Sequence, residues 1–446
     1  MNKLLIIIFS VFCITLMYNV SGPFDNFSNG VYFSSIIIQI ISIFYIFSKS
    51  NQSYSLKKIF YLFSLFFFGI APLLQYYKGI ALWGSIPLNE NEYIYINIII
   101  IVILFLYQLF YVLFYSKRIK VKKVDFIAKL EVNRKLNKLQ SILLVSISFF
   151  SFYMIYRLNN YSILSMLFRG GEFKEFAVVS STAGLIISNV FRPLSMMSLL
   201  YYITSKSNNF IIYIILTIST FITCSPIGMA RFQAATMYIP LVLLTIPWLR
   251  RKNNFVLNFI LGLLVLFPFL DNFRNFESEG NLKIGFNFDM FLQGHFDSYH
   301  NFALIVNNNI ITWGRQLLGV IFFWIPRSLW PNKPIGSGAY LAEEKSLIFS
   351  NISCNYFGEG FINFGFAGIL FFVIFLAYIT ASFDKMYWTI SVYKKNNYFN
   401  VIYYILLGLL FFMLRGDLMS SFAFTIGFMF SIWLVHKIAG AKVKTP

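Results

Sequence analysis

The sequence predicts an all-α polytopic membrane protein with about twelve transmembrane helices, both termini in the cytoplasm and one large loop on the outer side. Hydrophobic residues make up 58% of the 446 and charged residues only 12%, about half the charged fraction of a soluble domain. Apolar runs long enough to cross a bilayer recur along the chain. Lys and Arg are concentrated between alternate pairs of these runs, as membrane topology requires.

The net charge of +19 would suggest a nucleic-acid partner in a soluble protein. Here the charges fall in short tracts between apolar runs, so no nucleic acid is predicted. The 20% aromatic content is interpreted mainly as codon bias of an AT-rich gene. Cys13, Cys224 and Cys354 are far apart, so neither a disulfide framework nor a zinc site is indicated.

The predicted transmembrane helices are the apolar runs of about 20 residues. In chain order they cover residues 3–20, 31–48, 59–77, 93–115, 139–157, 184–204, 210–225, 232–249, 255–270, 360–383, 398–415 and 419–436. The first run has a short basic start like a signal peptide, but no convincing cleavage site follows, so we predict a retained helix. No internal repeat is visible, which disfavours a transporter built from repeats.

The distribution of charge sets the orientation and the division of the chain. With the N-terminus inside, the inner segments hold 23 of the 36 Lys and Arg residues but three of the 17 acids, which is the expected inner excess. Helices one to nine then occupy 1–270, a periplasmic loop occupies 271–358, and three helices with a cytoplasmic tail occupy 359–446. The apolar middle of the loop, 304–325, is broken by asparagines and Arg315, so it predicts short interfacial or re-entrant helices.

Several arginines are predicted to lie near the outer interface. They are Arg231, Arg274, Arg315, Arg327 and Arg415. A planar guanidinium gives two parallel hydrogen bonds to phosphate oxygens, so the set suits a lipid diphosphate. The alternative is that each arginine extends to lipid headgroups or pairs with a loop acid.

Two histidines of the loop, His295 and His300, lie beside Asp289 and Asp297. Such a histidine can act as a general base toward a sugar hydroxyl. Metal binding is an alternative, but the spacing matches no strong metal motif, so no metal is predicted. Ordinary hydrogen bonding within the loop is the other alternative.

The stretch from Trp324 to Pro334 contains three prolines and two tryptophans. It is predicted to be rigid and non-helical. It would present Arg327 and Lys333 as a clamp for an anion. Tryptophan at an interface is also expected from membrane anchoring alone.

These residues resemble a known family. The run from Ile325 to Pro334 resembles a stretch of the bacterial oligosaccharide repeat-unit polymerases, the O-antigen polymerases. The run from Phe357 to Gly368, the Gly-x-x-Arg turn at Arg231 and the Arg-Gly-Asp sequence at Arg415 are also similar to that family. The likeness covers mainly residues 225–420.

The family is also associated with an arginine followed eleven residues later by glycine, in two outer loops. The pairs Arg274–Gly285 and Arg327–Gly338 have this spacing. Both pairs fall in one loop here, so the family's role is assigned less securely to Arg274 than to Arg327. Arg231 lacks the arginine–glycine spacing.

The resemblance implies a GT-C-like membrane glycosyltransferase of the bacterial inner membrane. It would move a growing glycan from undecaprenyl diphosphate onto a new lipid-linked oligosaccharide repeat unit at the periplasmic face, in O-antigen or related polysaccharide synthesis. No cofactor is implied, and a chain-length regulator protein is a further candidate partner. The related O-antigen ligases, which use a lipid-core acceptor, are one alternative, and a flippase for the same lipid-linked glycan is another.

The predicted mechanism divides the site residues into two groups. Arg231, Arg274 and Arg327 would surround the donor diphosphate, while His300, or an outer acid such as Glu359, would accept the acceptor hydroxyl proton. The predicted substrate-binding residues are Arg315, Lys333, Arg415 and Glu359.

Overall fold

The computed structural model describes residues 9–10, 25–48, 52–117, 135–168, 187–266, 288–391 and 398–440. Within these ranges the regular structure is helical and no strand occurs, which confirms the all-α prediction. The predicted first span, 3–20, falls outside the described residues except for Phe9 and Ser10.

The first part of the chain forms nine helices within the described ranges. They are α1 (Asn29–Phe47), α2 (Leu56–Tyr77), α3 (Glu90–Ser116), α4 (Lys138–Leu158), α5 (Ile163–Leu167), α6 (Arg192–Thr204), α7 (Phe210–Thr223), α8 (Arg231–Thr245) and α9 (Asn254–Val265). The second part adds α10 (Ser298–Asn307), α11 (Arg315–Ile321), α12 (Ser337–Glu344), α13 (Tyr356–Ser391), α14 (Tyr398–Arg415) and α15 (Leu418–Gly440).

Seven of the described helices are long and apolar enough to cross a membrane: α1, α2, α3, α4, α13, α14 and α15. This supports a multi-pass membrane protein, while the predicted number of twelve spans is not confirmed. The helices α6, α7 and α8 have 13, 14 and 15 residues. At 1.5 Å per residue they cover about 20 Å, less than the hydrocarbon core of about 30 Å.

Helix α2 lies at the centre of the bundle and is completely buried. Its sequence is rich in phenylalanine, so every face can pack against an apolar neighbour. A π-helical turn, Leu65–Ile70, interrupts it. There Gln39 of α1 donates from Nε2 to the carbonyl oxygen of Gly69 at 2.9 Å, which satisfies a polar side chain inside the bundle.

The helices pack in two groups that share α8 and α14. One group contains α1, α2, α3 and α13, and the other contains α4, α6, α7 and α15. Helix α8 begins where α14 ends, beside Arg415. This end of the bundle is called the Arg415 end below.

The predicted outer loop covers the Arg415 end with short helices. Helix α10 packs on α3 and α13, and α11 packs on α15. Both are short, and their location at a membrane interface stays a prediction. Helix α13 breaks at Phe364 and Gly365, where Gly365 has φ +58° and ψ −144°, a conformation open mainly to glycine. Residues 356–363 therefore form a separate helical segment that belongs with the loop.

Candidate functional site

Asp297 connects three segments at the Arg415 end. Its side chain is 1% exposed. It accepts hydrogen bonds from Trp83 Nε1 at 3.2 Å, Asn301 Nδ2 at 3.1 Å and Ser353 Oγ at 2.6 Å. The Ser353 backbone N–H also donates to it, at 3.1 Å. Because these donors come from the loop between α2 and α3, from α10 and from the segment before α13, the carboxylate fixes all three together.

Arg415, a predicted substrate-binding residue, ends α14 directly beside Asp297. Its Nη2 lies 3.6 Å from Asp297 Oδ1, and its Nε donates to the carbonyl oxygen of His295 at 2.9 Å. Its guanidinium carbon lies 5.1 Å from the centre of the Phe232 ring, within cation–π range. The side chain is therefore held in one place at the start of α8.

Arg231 begins α8 and immediately precedes the Phe232 ring that Arg415 covers. Its side chain is 8% exposed. The turn before it is tight, because a β-carbon on Gly228 would lie 1.9 Å from the carbonyl oxygen of Met166. Only glycine permits so close a backbone approach, which explains the Gly-x-x-Arg pattern seen in the sequence.

An apolar cavity of about 340 Å³ lies between α8, α9 and α14; it is called the α8 cavity below. On α8 its wall includes Arg231, Ala235, Tyr238 and Val242, which share one helix face. The twelve residues from Arg231 to Val242 extend about 16 Å along the helix. Arg231 is the charged residue in this wall, so the cavity has a long apolar part and a cationic end.

His300 lies inside α10 and is 2% exposed. Its Nε2 is 2.6 Å from the Ser85 hydroxyl oxygen. Burial lowers the pKa of His300 to about 4, and the nearby Asp297 carboxylate opposes this shift. The imidazole is therefore neutral near pH 7, and its Nε2 accepts a proton in the tautomer that carries hydrogen on Nδ1. The Ser85 hydroxyl also donates to the carbonyl oxygen of Leu82 at 2.7 Å.

Glu359 is fully buried in the first segment of α13. It accepts hydrogen bonds from Ser337 Oγ at 2.7 Å and from the backbone N–H of Leu418 at 2.9 Å. The carboxylate thus joins the beginnings of α12 and α15. Since its neighbours enclose it, the geometry supports a structural role better than the predicted substrate contact.

Asp417 adds a second acid to this junction. Its carboxylate accepts from the backbone N–H of Gly338 at 3.1 Å and of Met419 at 2.9 Å. Burial raises the pKa of Asp417 above its usual value. A β-carbon on Gly338 would lie 2.1 Å from the carbonyl oxygen of Ile352, so the glycine of the Arg327–Gly338 spacing is explained by close packing.

Arg327 and Lys333, which the sequence predicts to form an anion clamp, lie close to each other. Their hydrogen bonds, however, go to carbonyl oxygens of the protein backbone. Arg327 Nη1 donates to the carbonyl oxygen of Lys333 at 2.7 Å. Lys333 Nζ donates to the carbonyl oxygens of Phe323 and Ile325. Burial and the Arg327 charge lower the pKa of Lys333. The two cations therefore hold the segment in shape, and no described contact joins them to Arg231 or Arg415.

Three further candidate residues of the sequence are Arg315, His295 and Arg274. Arg315 is exposed at the start of α11. His295 is half-buried, and its carbonyl oxygen accepts from Arg415. Arg274, like Gly285, falls outside the described residues. Among the residues described, no group of three or more His, Cys, Asp and Glu could hold a metal ion.

A separate polar cluster lies at the opposite end of the bundle. Asp384 of α13 is fully buried and accepts from the backbone N–H of Leu56 at 2.8 Å, from Tyr111 Oη at 2.7 Å and from Tyr403 Oη at 2.5 Å. Lys58 is also buried and donates to Asn253 Oδ1 at 3.1 Å. The sequence places both residues in cytoplasmic segments, whereas the fold uses them to join helix ends.

Sequence reasoning missed Trp83, Ser85 and Ser353 at the Arg415 end. None belongs to a motif, and their contacts with Asp297 and His300 join residues that are 56 to 215 positions apart in the sequence. The aromatic Trp83 in a predicted outer loop was the one local signal, and it also fits membrane anchoring.

Comparison of this chain with protein-family models, curated proteins and solved structures finds no match. The functional conclusion therefore depends on the residues of the chain itself.

Proposed function

We propose that this protein is a membrane glycosyltransferase that polymerises lipid-linked oligosaccharide repeat units at the periplasmic face of a bacterial inner membrane. The observation that carries the proposal is the α8 cavity, an apolar space of about 340 Å³ with Arg231 in its wall and Arg415 next to it. A polyprenyl chain needs an apolar space along a helix, and its diphosphate needs cations at one end.

The proposed donor is a glycan on undecaprenyl diphosphate. The isoprene units next to the diphosphate would lie in the α8 cavity, and the diphosphate would lie near Arg231 in the cavity wall and Arg415 at the Phe232 ring. The Arg415 guanidinium lies 3.6 Å from Asp297, and arginine side chains stay protonated in proteins. Preorganised cations of this kind stabilise the negative charge that develops on a departing diphosphate.

The proposed reaction has one bond formed and one bond broken. The acceptor hydroxyl oxygen of a new repeat unit bonds to the anomeric carbon of the donor sugar. The bond from that carbon to the diphosphate oxygen breaks, and the lipid diphosphate leaves with the electron pair. The hydroxyl proton passes to a base, and His300 suits this role better than the enclosed Glu359 because it is neutral and bonded to Ser85.

We propose that Arg274 and Arg327 contribute less directly to diphosphate binding than Arg231 and Arg415 do. Arg327 would act through its charge and through the shape of its segment, since its guanidinium donates to the carbonyl oxygens of Lys333 and Pro334. Arg315 and Lys333 would contribute positive charge near the substrate.

The test is polymerisation of synthetic lipid-linked repeat units by the purified, reconstituted protein. The variants Arg231→Ala and Arg415→Lys should each lower the rate by about 100-fold, the effect of losing one preorganised donor to a developing anion. Arg251→Ala is the matched control, because Arg251 is exposed at the far end of α8 and its connecting turn. Near-normal polymerisation by folded Arg231→Ala protein would contradict the site.

Glycan chain length in a deletion strain separates the rival functions. Loss of a polymerase leaves surface lipid capped with one repeat unit, whereas loss of a flippase or a ligase leaves none. A flippase would be expected to carry charges deep in several helices around a central cavity. The sequence places one charge, Arg192, clearly within a predicted span, and Arg192 is the first residue of α6. Lys58 lies in the first turn of α2, and Asp384, in the last third of α13, accepts from the backbone N–H of Leu56.

A further inference from the structure

A second cavity, of about 270 Å³, lies at the Arg415 end between residues 84–92, α10 and residues 345–347. It is called the polar cavity below. Polar side chains contribute much of its wall: Ser85, Glu92, Asn307, Asn308 and Lys345. Apolar surface comes from Pro87, Leu304 and Leu347.

We propose that the polar cavity binds one sugar residue of the acceptor glycan, and that Ser85 passes the proton of the attacking hydroxyl to His300. This inference rests on the proposed function, since it assigns the acceptor subsite of the same reaction.

The lining of the cavity fits a sugar ring. Amide, carboxylate and ammonium groups can bond to hydroxyl groups as donors and acceptors, while Leu304 and Leu347 can contact the C–H faces of the ring. The volume lies just below the range of about 300 to 1,000 Å³ for pockets that hold drug-sized ligands. It therefore has room for one sugar residue and not for a whole repeat unit.

Asn307 provides a donor for such a ligand. Its Nδ2 is buried and makes no hydrogen bond in the described part of the chain. A buried donor without an acceptor costs free energy. Rotation of the amide toward the polar cavity would let a sugar oxygen accept from it, so ligand binding would remove an existing cost.

The route from the cavity to His300 passes through Ser85. His300 is 2% exposed, so a sugar hydroxyl cannot reach it directly. Ser85 lines the cavity and its Oγ lies 2.6 Å from His300 Nε2. His300, Leu304 and Asn307 follow one face of α10 at spacings of four and three residues, so the base and the binding groups share one rigid support.

The proton transfer balances without a further reactant. As the acceptor oxygen bonds to the anomeric carbon, its proton moves to Ser85 Oγ and the Ser85 proton moves to His300 Nε2. The lipid diphosphate leaves as the anion. This requires a neutral His300 whose proton is on Nδ1. It also requires a Ser85 hydroxyl that turns its proton to His300 Nε2 and away from the carbonyl oxygen of Leu82, to which it donates at 2.7 Å in the resting protein.

Steady-state kinetics with synthetic lipid-linked acceptor would test both parts. Asn307→Ala should raise KM for the acceptor about tenfold and leave kcat near the wild-type value. This is the effect expected when one hydrogen bond is lost that stabilises the bound acceptor and the transition state equally. Ser85→Ala should lower kcat about 100-fold, as expected for loss of general-base assistance. Ser85→Thr keeps a hydroxyl and should recover most of the rate, while Asn351→Ala, an exposed site outside the cavity, should change neither constant.

A binding measurement on the full-length protein separates this inference from the proposed function. Calorimetry with the lipid-free repeat-unit oligosaccharide should detect binding to wild type and to Arg231→Ala protein, and at least tenfold weaker binding to Asn307→Ala. Equal binding by wild type and Asn307→Ala, or normal kcat in Ser85→Ala, would overturn the acceptor subsite even if Arg231→Ala abolishes transfer. If binding requires Asn307 but no transfer of glycan occurs, the cavity remains a sugar site and the proposed polymerase activity fails.

Discussion

Removal of the Asp297 carboxylate should destabilise the Arg415 end more than any surface change. The carboxylate is 1% exposed and receives hydrogen bonds from Trp83, Asn301 and Ser353 as well as the 3.6 Å ion pair with Arg415. In Asp297→Ala these donors lose their acceptor together.

The magnitude follows from the burial of the two partners. Breaking a buried ion pair by removing one side costs about 3 to 5 kcal/mol, and each buried donor left without an acceptor costs about 1 to 3 kcal/mol. These costs do not add, because the groups share one site and relax together. Arg415 is 18% exposed, so water can replace part of the interaction that its guanidinium loses. We therefore expect Asp297→Ala to lower the free energy of unfolding by about 4 kcal/mol.

The assay is the free energy of unfolding from titration with a denaturing detergent, followed by helix content. Asp297→Asn keeps one acceptor oxygen and the side-chain shape, so about half of the loss is expected. Asp25→Asn is the matched control, because Asp25 is exposed and such surface changes usually stay within about 0.5 kcal/mol. A cost below about 1 kcal/mol for Asp297→Ala would refute the view that this carboxylate holds the loop segments together.

Two further predictions concern pH and backbone packing. The folded-state pKa of His300 is about 4 against 6.5 for the free side chain, so between these values the unfolded chain binds a proton that the folded chain does not. The contribution of His300 to the free energy of unfolding should therefore be fully present above pH 6.5 and fall by about 3 kcal/mol as the pH drops toward 4. The thermal midpoint of the wild-type protein should fall over this pH range, and His300→Gln protein should lack that part of the decrease. Gly228→Ala should lower the free energy of unfolding by about 1 to 3 kcal/mol and reduce polymerisation. The added β-carbon would lie 1.9 Å from the Met166 carbonyl oxygen and displace the turn before Arg231. An unchanged melting midpoint and an unchanged rate would contradict this packing explanation.

The helices were predictable where hydropathy and capping agree. The predicted span 93–115 corresponds to Glu90–Ser116, and its start is fixed by a capping box in which Asn89 and Glu92 each accept from the other's backbone N–H. The span 232–249 was less accurate, because the helix ends at Thr245 and a 3₁₀ turn, Pro247–Arg250, follows. Proline at the turn removes a helix hydrogen bond that hydropathy does not register.

The site was predictable only in its residue types. Arg231, Arg415 and His300 stand out as ionisable groups in predicted outer segments, and the structure places all three at the Arg415 end. Their partners could not be found from local sequence, since Asp297 precedes Arg415 by more than a hundred residues. The same holds for Glu359, whose enclosure by Ser337 and Leu418 depends on the packing of three helices.

The two cavities are linked by one series of contacts, and this bears on how the reaction could be organised. The α8 cavity reaches Phe232, the Phe232 ring faces Arg415, and Arg415 pairs with Asp297. Asp297 immediately precedes α10, the helix that carries His300 and the wall of the polar cavity. A change in the charge near Arg415, such as arrival of a diphosphate, would compete with Asp297 for the guanidinium and so act on the start of α10. Donor binding and acceptor placement would then be coupled through a carboxylate that touches neither sugar, and Asp297→Asn should weaken that coupling while both cavities persist.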